Sequence, residues 1–237
     1  MRTANIAVLS CVLIVASGAS ETSAAIINVA NGKPIIGGNS DYSAGDFNSG
    51  GTFGTFNVTD GQNALPDNNT GTLTEVHADG SYWLGRQSAT TGYFVLDLQS
   101  PFKIGEFQIF NTSNGTPNDR GTGQFTIKAS QTVTNLGGTL GFDLSGTVVT
   151  LASGTLTTHV SPGLIVGDMF ISSDMGTDFR YIRFDVLSIS SGRTQGFGLN
   201  ELRIFAAPPV PEPSTLALLG LGAISLAIKV RRRRTAA

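Results

Sequence analysis

Cysteine is almost absent: of the 237 residues only Cys11 is one, and it lies in an apolar run near the N-terminus. Everything downstream is therefore without disulfides and without cysteine-based metal or redox chemistry. Charge is also scarce, at 14% of residues. Between residues 26 and 208 there are 9 Lys/Arg against 15 Asp/Glu, a net charge of −6 that the basic ends of the chain conceal. So few cations on an acidic segment make a poor match for a phosphate backbone, and no nucleic-acid partner is expected. Of the two histidines, His77 and His159, neither has a partner at metal-ligand spacing. The His-Glu-x-x-His helix, the Gly-x-Ser-x-Gly turn and the P-loop are all missing. A carboxylate pair for glycoside hydrolysis leaves no mark in sequence spacing. With no positive sign of catalysis, the chain is expected not to be an enzyme.

What is present begins with the two ends. Arg2 precedes the apolar run 6–16 (IAVLSCVLIVA), which is too short to span a bilayer, and small residues follow it. The pattern predicts a signal peptide over residues 1–25, cut by signal peptidase near Ala24 or Ala25. Cys11 has too few apolar residues before it for a lipidation site.

At the other end Pro211, Glu212 and Pro213 lead into an apolar stretch, residues 215–228, followed by Lys229 and four arginines from Arg231 to Arg234. As a helix that stretch is ~21 Å long, short of a ~30 Å hydrocarbon core, with Lys229 able to reach the headgroups. Taken alone this is a short inner-membrane anchor whose arginines stay on the cytoplasmic side, leaving the rest of the chain outside. The order of its three parts resembles the PEP-CTERM sorting signal of bacteria that make exopolysaccharide. That resemblance implies a tail over 209–237, cleaved near Pro211, Glu212 and Pro213 by an exosortase-type membrane protease. It further implies a protein exported, transiently anchored, and then left at the cell surface or in the extracellular matrix, where biofilm polysaccharide is a possible partner.

Residues 26–208 are long enough to form one domain with its own core. Apolar and polar residues alternate in 93–98 (YFVLDL), 102–110 (FKIGEFQIF), 124–129 (QFTIKA), 181–186 (YIRFDV) and 199–205 (LNELRIF). Period-two alternation with aromatic and β-branched residues predicts half-buried strands. Turn-rich pieces such as 111–119 (NTSNGTPND) separate them, and no helical period appears outside the two ends. The expected fold class is all-β, a sandwich or barrel.

The landmarks along this segment are 28–34 (NVANGKP), 58–61 (VTDG), Trp83, 92–98 (GYFVLDL), Asp119 and Arg120 before 124–127 (QFTI), 179–184 (FRYIRF) and 198–205 (GLNELRIF). In this order they resemble the discoidin, or coagulation factor 5/8 type C, family. The resemblance implies a galactose-binding-like jelly-roll sandwich. Two departures fall where binding loops would lie: a long interval from Asp60 to Trp83, and an insertion-like stretch at 134–176. No ligand identity carries over.

The resemblance also implies a structural calcium site at Asp60, Asn63 and Glu201, since a hard cation takes six to eight oxygens from loops of this kind. Against it, Asp60 has the chemistry to cap its own turn, and Glu201 to pair with Arg203 or Arg180. For carbohydrate binding, a ring must lie on the apolar face of a sugar beside fixed polar groups. Phe47, Phe53, Phe56 and Phe197 lie in Gly-rich segments, Phe197 being the most loop-like, and Trp83 is either a second sugar platform or a core ring. Arg180 and Arg183, three apart on a strand, are expected on opposite faces and so do not form an anion clamp. Triplets of the Asn-x-Ser/Thr type at Asn57, Asn68 and Asn111 carry little weight in a chain so rich in Asn and Thr. Two expectations of different class follow: a carbohydrate-binding module on an extracellular polysaccharide, or a structural or adhesive surface protein with no small ligand.

Overall fold

The computed structural model describes residues 27–39, 53–61, 72–74, 82–112, 120–158, 164–190 and 196–208, together with residues 220, 222 and 223. In chain order the strands are β1 (Ile35–Gly38), β2 (Thr72–Thr74), β3 (Trp83–Leu84), β4 (Gly92–Asn111), β5 (Gln124–Ser130), β6 (Thr132–Gly137), β7 (Gly141–Ser145), β8 (Val149–Thr155), β9 (Leu164–Val166), β10 (Asp168–Ile171), β11 (Asp178–Val186) and β12 (Gly198–Ala206). A 3-10 turn at Thr55–Val58 lies between β1 and β2 and packs against β3 and β12. All the pairings are antiparallel.

One strand organises the molecule. The alternating runs at 93–98 and 102–110 are not separate strands but the two halves of β4, which has 20 residues. Straight, it would measure about 65 Å, against a radius of gyration of ~16 Å for a domain of this size. It bends between its halves. There Gln99 takes φ of 65° and its N–H donates to Asp97 Oδ1, and Pro101 has no N–H to give a ladder. The first half lies in a long sheet, order β6-β7-β1-β4-β11-β5-β8. The second half pairs with β10 and β12, and β12 with β3, which makes a shorter sheet, order β10-β4-β12-β3. The two halves of β4 thus close a sandwich from a single strand.

Inward residues of both sheets meet in one core: Phe94, Leu96 and Leu98 of β4, Ile127 of β5, Ile182 and Phe184 of β11, Leu199, Leu202 and Ile204 of β12. A chain of rings crosses it. Phe197 meets Trp83 at 5.1 Å, Trp83 meets Phe94 at 5.1 Å, Phe94 and Phe125 stack on either side of Phe184 at 5.4 Å each, and Phe125 meets Phe170 at 4.8 Å. Edge-to-face and offset geometries add to the area that such rings bury.

Both ends of the sandwich can be located. At one end lie the bend of β4, the start of β11 and the close of β12, for Asp178 pairs with Lys103 and Ala206 with Ile104. Asn28 joins them, bridging to Phe205. At the other end lie both tips of β4, the start of β12 and the close of β11. Gly92 pairs with Val186 and Leu199 with Asn111.

The insertion-like stretch contains five strands, β6 to β10. The β6–β7 hairpin folds back over the outside of the long sheet, touching β4, β5 and β11 and reaching Gly37 of β1. It brings Asp143 to Arg183 at 2.6 Å, and Arg183 also lies 3.8 Å over the Tyr93 ring and bonds Asp185. Lys128 completes this network on Asp185 at 2.9 Å. Burial, and then the Asp143 carboxylate, raise the Tyr93 phenol above its ordinary value, with Arg183 opposing.

Candidate functional site

Trp83 and Phe197 are the first sequence candidates to settle, and both are fully buried at 0% exposure. For Phe197 this corrects the expectation of an exposed loop ring. Its phenyl group fills the space left by the missing side chains of Gly85 and Gly92, where a Cβ would run into the ring. The flanking glycines that resemble a loop in the sequence belong to tight packing. Trp83 takes the core alternative, in edge contact with Phe94 and Phe197. Neither ring is presented to a sugar.

Glu201 is buried as well, and its Oε1 accepts from Arg203 Nε at 3.0 Å, the two side chains being 4% and 6% exposed. Arg203 also lies over Phe110 at 4.9 Å and reaches Gln108. These residues project from the outer face of the short sheet, and Gly167 lies across Gln108 and Phe110. Of the two partners expected for Glu201, the structure shows Arg203. Asp60 is half-buried beside the 3-10 turn, and Asn63 lies outside the described residues. Among the described residues no group of three or more His, Cys, Asp or Glu side chains is placed to hold a metal.

Arg180 and Arg183 differ from the alternation argument. The register shift between Phe179 and Tyr181 interrupts the period, and both guanidinium groups reach outward-facing carboxylates. Arg180 grips Asp97 through two hydrogen bonds of 2.8 Å, and Arg183 takes Asp143 and Asp185. The hydrogen bonds from Arg180 hold the Asp97 carboxyl below its usual range. Each arginine is committed separately, so no shared anion clamp exists. Asn57 and Asn111 are buried at 1% and 0%, with Asn57 Nδ2 donating to the Tyr82 carbonyl and Asn111 Nδ2 to the Thr122 carbonyl. Phe47, Asn68, His77, His159 and the Pro211, Glu212, Pro213 motif lie outside the described residues.

A different cluster occupies the end of the sandwich at the start of β12. Phe53 and Tyr82 sit with ring centroids 5.1 Å apart at 48°. Arg120 donates from Nη1 to the Tyr82 hydroxyl at 2.6 Å, and its guanidinium lies 6.0 Å from the centroid of Phe53. The backbone fixes all three. The Leu84 N–H donates to the Phe53 carbonyl, Tyr82 directly precedes β3, and the Arg120 carbonyl packs against Gly198. Tyr82 is buried, whereas Phe53 and Arg120 are only partly buried. The result is an apolar ring beside a planar guanidinium, both tied to the backbone of β3 and β12. Phe53 is among the rings singled out in the sequence, and Arg120 among its landmarks. What spacing does not reveal is that β3 and β12 bring them together. Phe56, the neighbouring candidate, is 39% exposed but not part of the cluster.

Among the described residues no helix is long and apolar enough to cross a membrane. Residues 209–234 match the PEP-CTERM protein-sorting motif, which indicates export by way of a C-terminal sorting signal and transient membrane anchoring. No curated relative matches the chain. Solved structures similar to it include chitosan-binding module 1 from a chitosanase/glucanase of Paenibacillus sp. IK-5, with TM-score 0.45 and 16% identity, covering 76% of this chain and 99% of that one. Another is the CBM32-4 module of a Clostridium perfringens protein in complex with GlcNAc-α-1,4-galactose, with TM-score 0.46 and 15% identity, covering 80% and 100%. A third is the lectin domain of lectinolysin complexed with Lewis B antigen, with TM-score 0.48 and 13% identity, covering 77% and 98%.

Proposed function

We propose that this chain is an exported cell-surface or matrix protein whose sandwich binds an extracellular polysaccharide at the Phe53–Tyr82–Arg120 rim. The sorting motif at 209–234 supports the address. On this reading signal peptidase removes residues 1–25, and an exosortase-type membrane protease cuts near Pro211, Glu212 and Pro213. The observation that carries the binding reading is the partly buried Phe53 ring beside the partly buried Arg120 guanidinium. A pyranose presents an apolar face of C–H groups and a rim of hydroxyls, which a ring and a planar guanidinium match respectively. The rim binds rather than transforms its ligand.

The test is retention of the detergent-solubilised full chain on a panel of bacterial polysaccharides and glycans. We expect retention on at least one of them, reduced by about tenfold or more in Phe53→Ala and in Arg120→Lys with the melting temperature held, as loss of a stacked or bidentate contact would give. No retention on any glycan, or retention that both variants leave intact, defeats the reading. The sandwich is then a structural or adhesive unit without a small ligand.

A further inference from the structure

The two ends of the folded domain emerge side by side. The Val29 N–H donates to the Ile204 carbonyl at 2.8 Å, the Ile204 N–H donates to Asn28 Oδ1 at 3.1 Å, and Asn28 bridges to Phe205. Just beyond β12, the Ala207 N–H is fastened to the Lys103 carbonyl at 2.7 Å. The chain therefore leaves the domain at the bend end of β4, among Gln99, Ser100 and Lys103, all exposed. The Phe53–Tyr82–Arg120 rim is at the opposite end, where β12 starts, ~27 Å away along that strand.

The length of the following segment then fixes an orientation. From Ala207 to Thr215, where the apolar stretch begins, the chain reaches at most ~29 Å when fully extended. Four of its residues, Pro208, Pro209, Pro211 and Pro213, are prolines, whose ring-locked φ restricts the conformations open to such a sequence. Turning the rim toward the bilayer would require this tether to run back past the whole of β12, which takes nearly all of its ~29 Å and leaves no slack to enter the bilayer. Standing upright on the tether costs nothing.

We propose that, in the membrane-anchored precursor, the end of the sandwich formed by Asn28, Gln99, Ser100, Lys103 and Ala206 faces the lipid surface, and that the Phe53–Tyr82–Arg120 end is held away from it. The proposal depends on the sorting motif and the strand geometry, and not on what the rim binds.

The experiment uses the full chain, produced without the sorting protease so that the tail stays attached. It is reconstituted in phosphatidylethanolamine/phosphatidylglycerol vesicles that carry a headgroup nitroxide lipid. With Cys11→Ser the chain has no cysteine, so Ser100→Cys and Gln87→Cys each give one labelling site at an exposed position, on the bend end and on the rim end respectively. Lys103→Cys is the second bend-end site, should Ser100→Cys disturb the turn. A fluorophore at residue 100 or 103 should be quenched several-fold more strongly than one at residue 87. Equal or reversed quenching overturns the orientation. Inserting about twenty Gly/Ser residues after Pro208, which adds ~25 Å of flexible reach, should erase the difference. A difference that survives the insertion shows that surface adhesion sets the orientation, and overturns the tether argument.

Discussion

The aromatic residues fall into two groups that the sequence presents alike. Six rings, Phe197, Trp83, Phe94, Phe184, Phe125 and Phe170, run through the core in successive contact. Phe53 and Tyr82 sit at the rim with Arg120. Phe197 lies between two glycines and Phe53 just before Gly54, yet one is sealed between Gly85 and Gly92 while the other is only partly buried beside a cation. Glycine next to an aromatic residue therefore has two meanings. It either frees a loop, or removes Cβ atoms from the path of a ring that packs from elsewhere in the chain. Only the pairing of strands tells them apart.

Substitutions that treat the two groups alike should separate them sharply. Phe184→Ala empties the middle of the ladder and should cost about 3–5 kcal/mol, seen as a lower urea midpoint; a loss under ~1 kcal/mol would mean that the rings are not the core. Glu201→Gln strands the buried Arg203 cation and should cost about 3 kcal/mol in the same assay, while Phe53→Ala at the rim stays within ~1 kcal/mol of wild type. Gly92→Ala drives a methyl group into the Phe197 ring and should cost about 1–3 kcal/mol, partly restored by adding Phe197→Leu. If Gly92→Ala is neutral, the packing argument for Phe197 fails. The smallest effect concerns the outer surface. Asp97 has its folded pKa depressed by Arg180, so its contribution is present above the unfolded carboxylate value of about 3.9 and is lost as pH falls through the lower folded value. Asp97→Asn should then lower the melting temperature slightly at pH 6 and converge on wild type in the acid limb, once pH has fallen through the lowered folded value; parallel curves would separate Asp97 from acid sensitivity.

Much of the fold was legible because alternation reports one buried face, and β5, β11 and β12 follow it. The alternation in 93–98 and 102–110 marked both halves of β4, but not that they are one strand, since a bend is set by what the strand pairs with on either side. Outer-face burial was not legible either. Gln108, Phe110, Glu201 and Arg203 follow the pattern of a solvent-facing row, and are covered because chain from another part of the sequence lies over them. The same holds for Arg183, which the β6–β7 hairpin covers from within a stretch that resembled a mere insertion. Of the candidate site, Phe53 and Arg120 were visible as residues but not as neighbours, because the contact that joins them spans 67 positions of chain. The expected Phe197 platform misled because local glycine content was taken for exposure.

The position of β12 has a consequence for how this chain crosses a membrane. It is the last of the described strands in chain order, yet it sits inside the short sheet between β4 and β3, and its final residues hold Asn28. An emerging polypeptide cannot complete that sheet, or secure its own beginning, until almost everything up to the sorting motif has been threaded through. In any N-to-C emergence of the chain, the short sheet and the hold on Asn28 are therefore completed late.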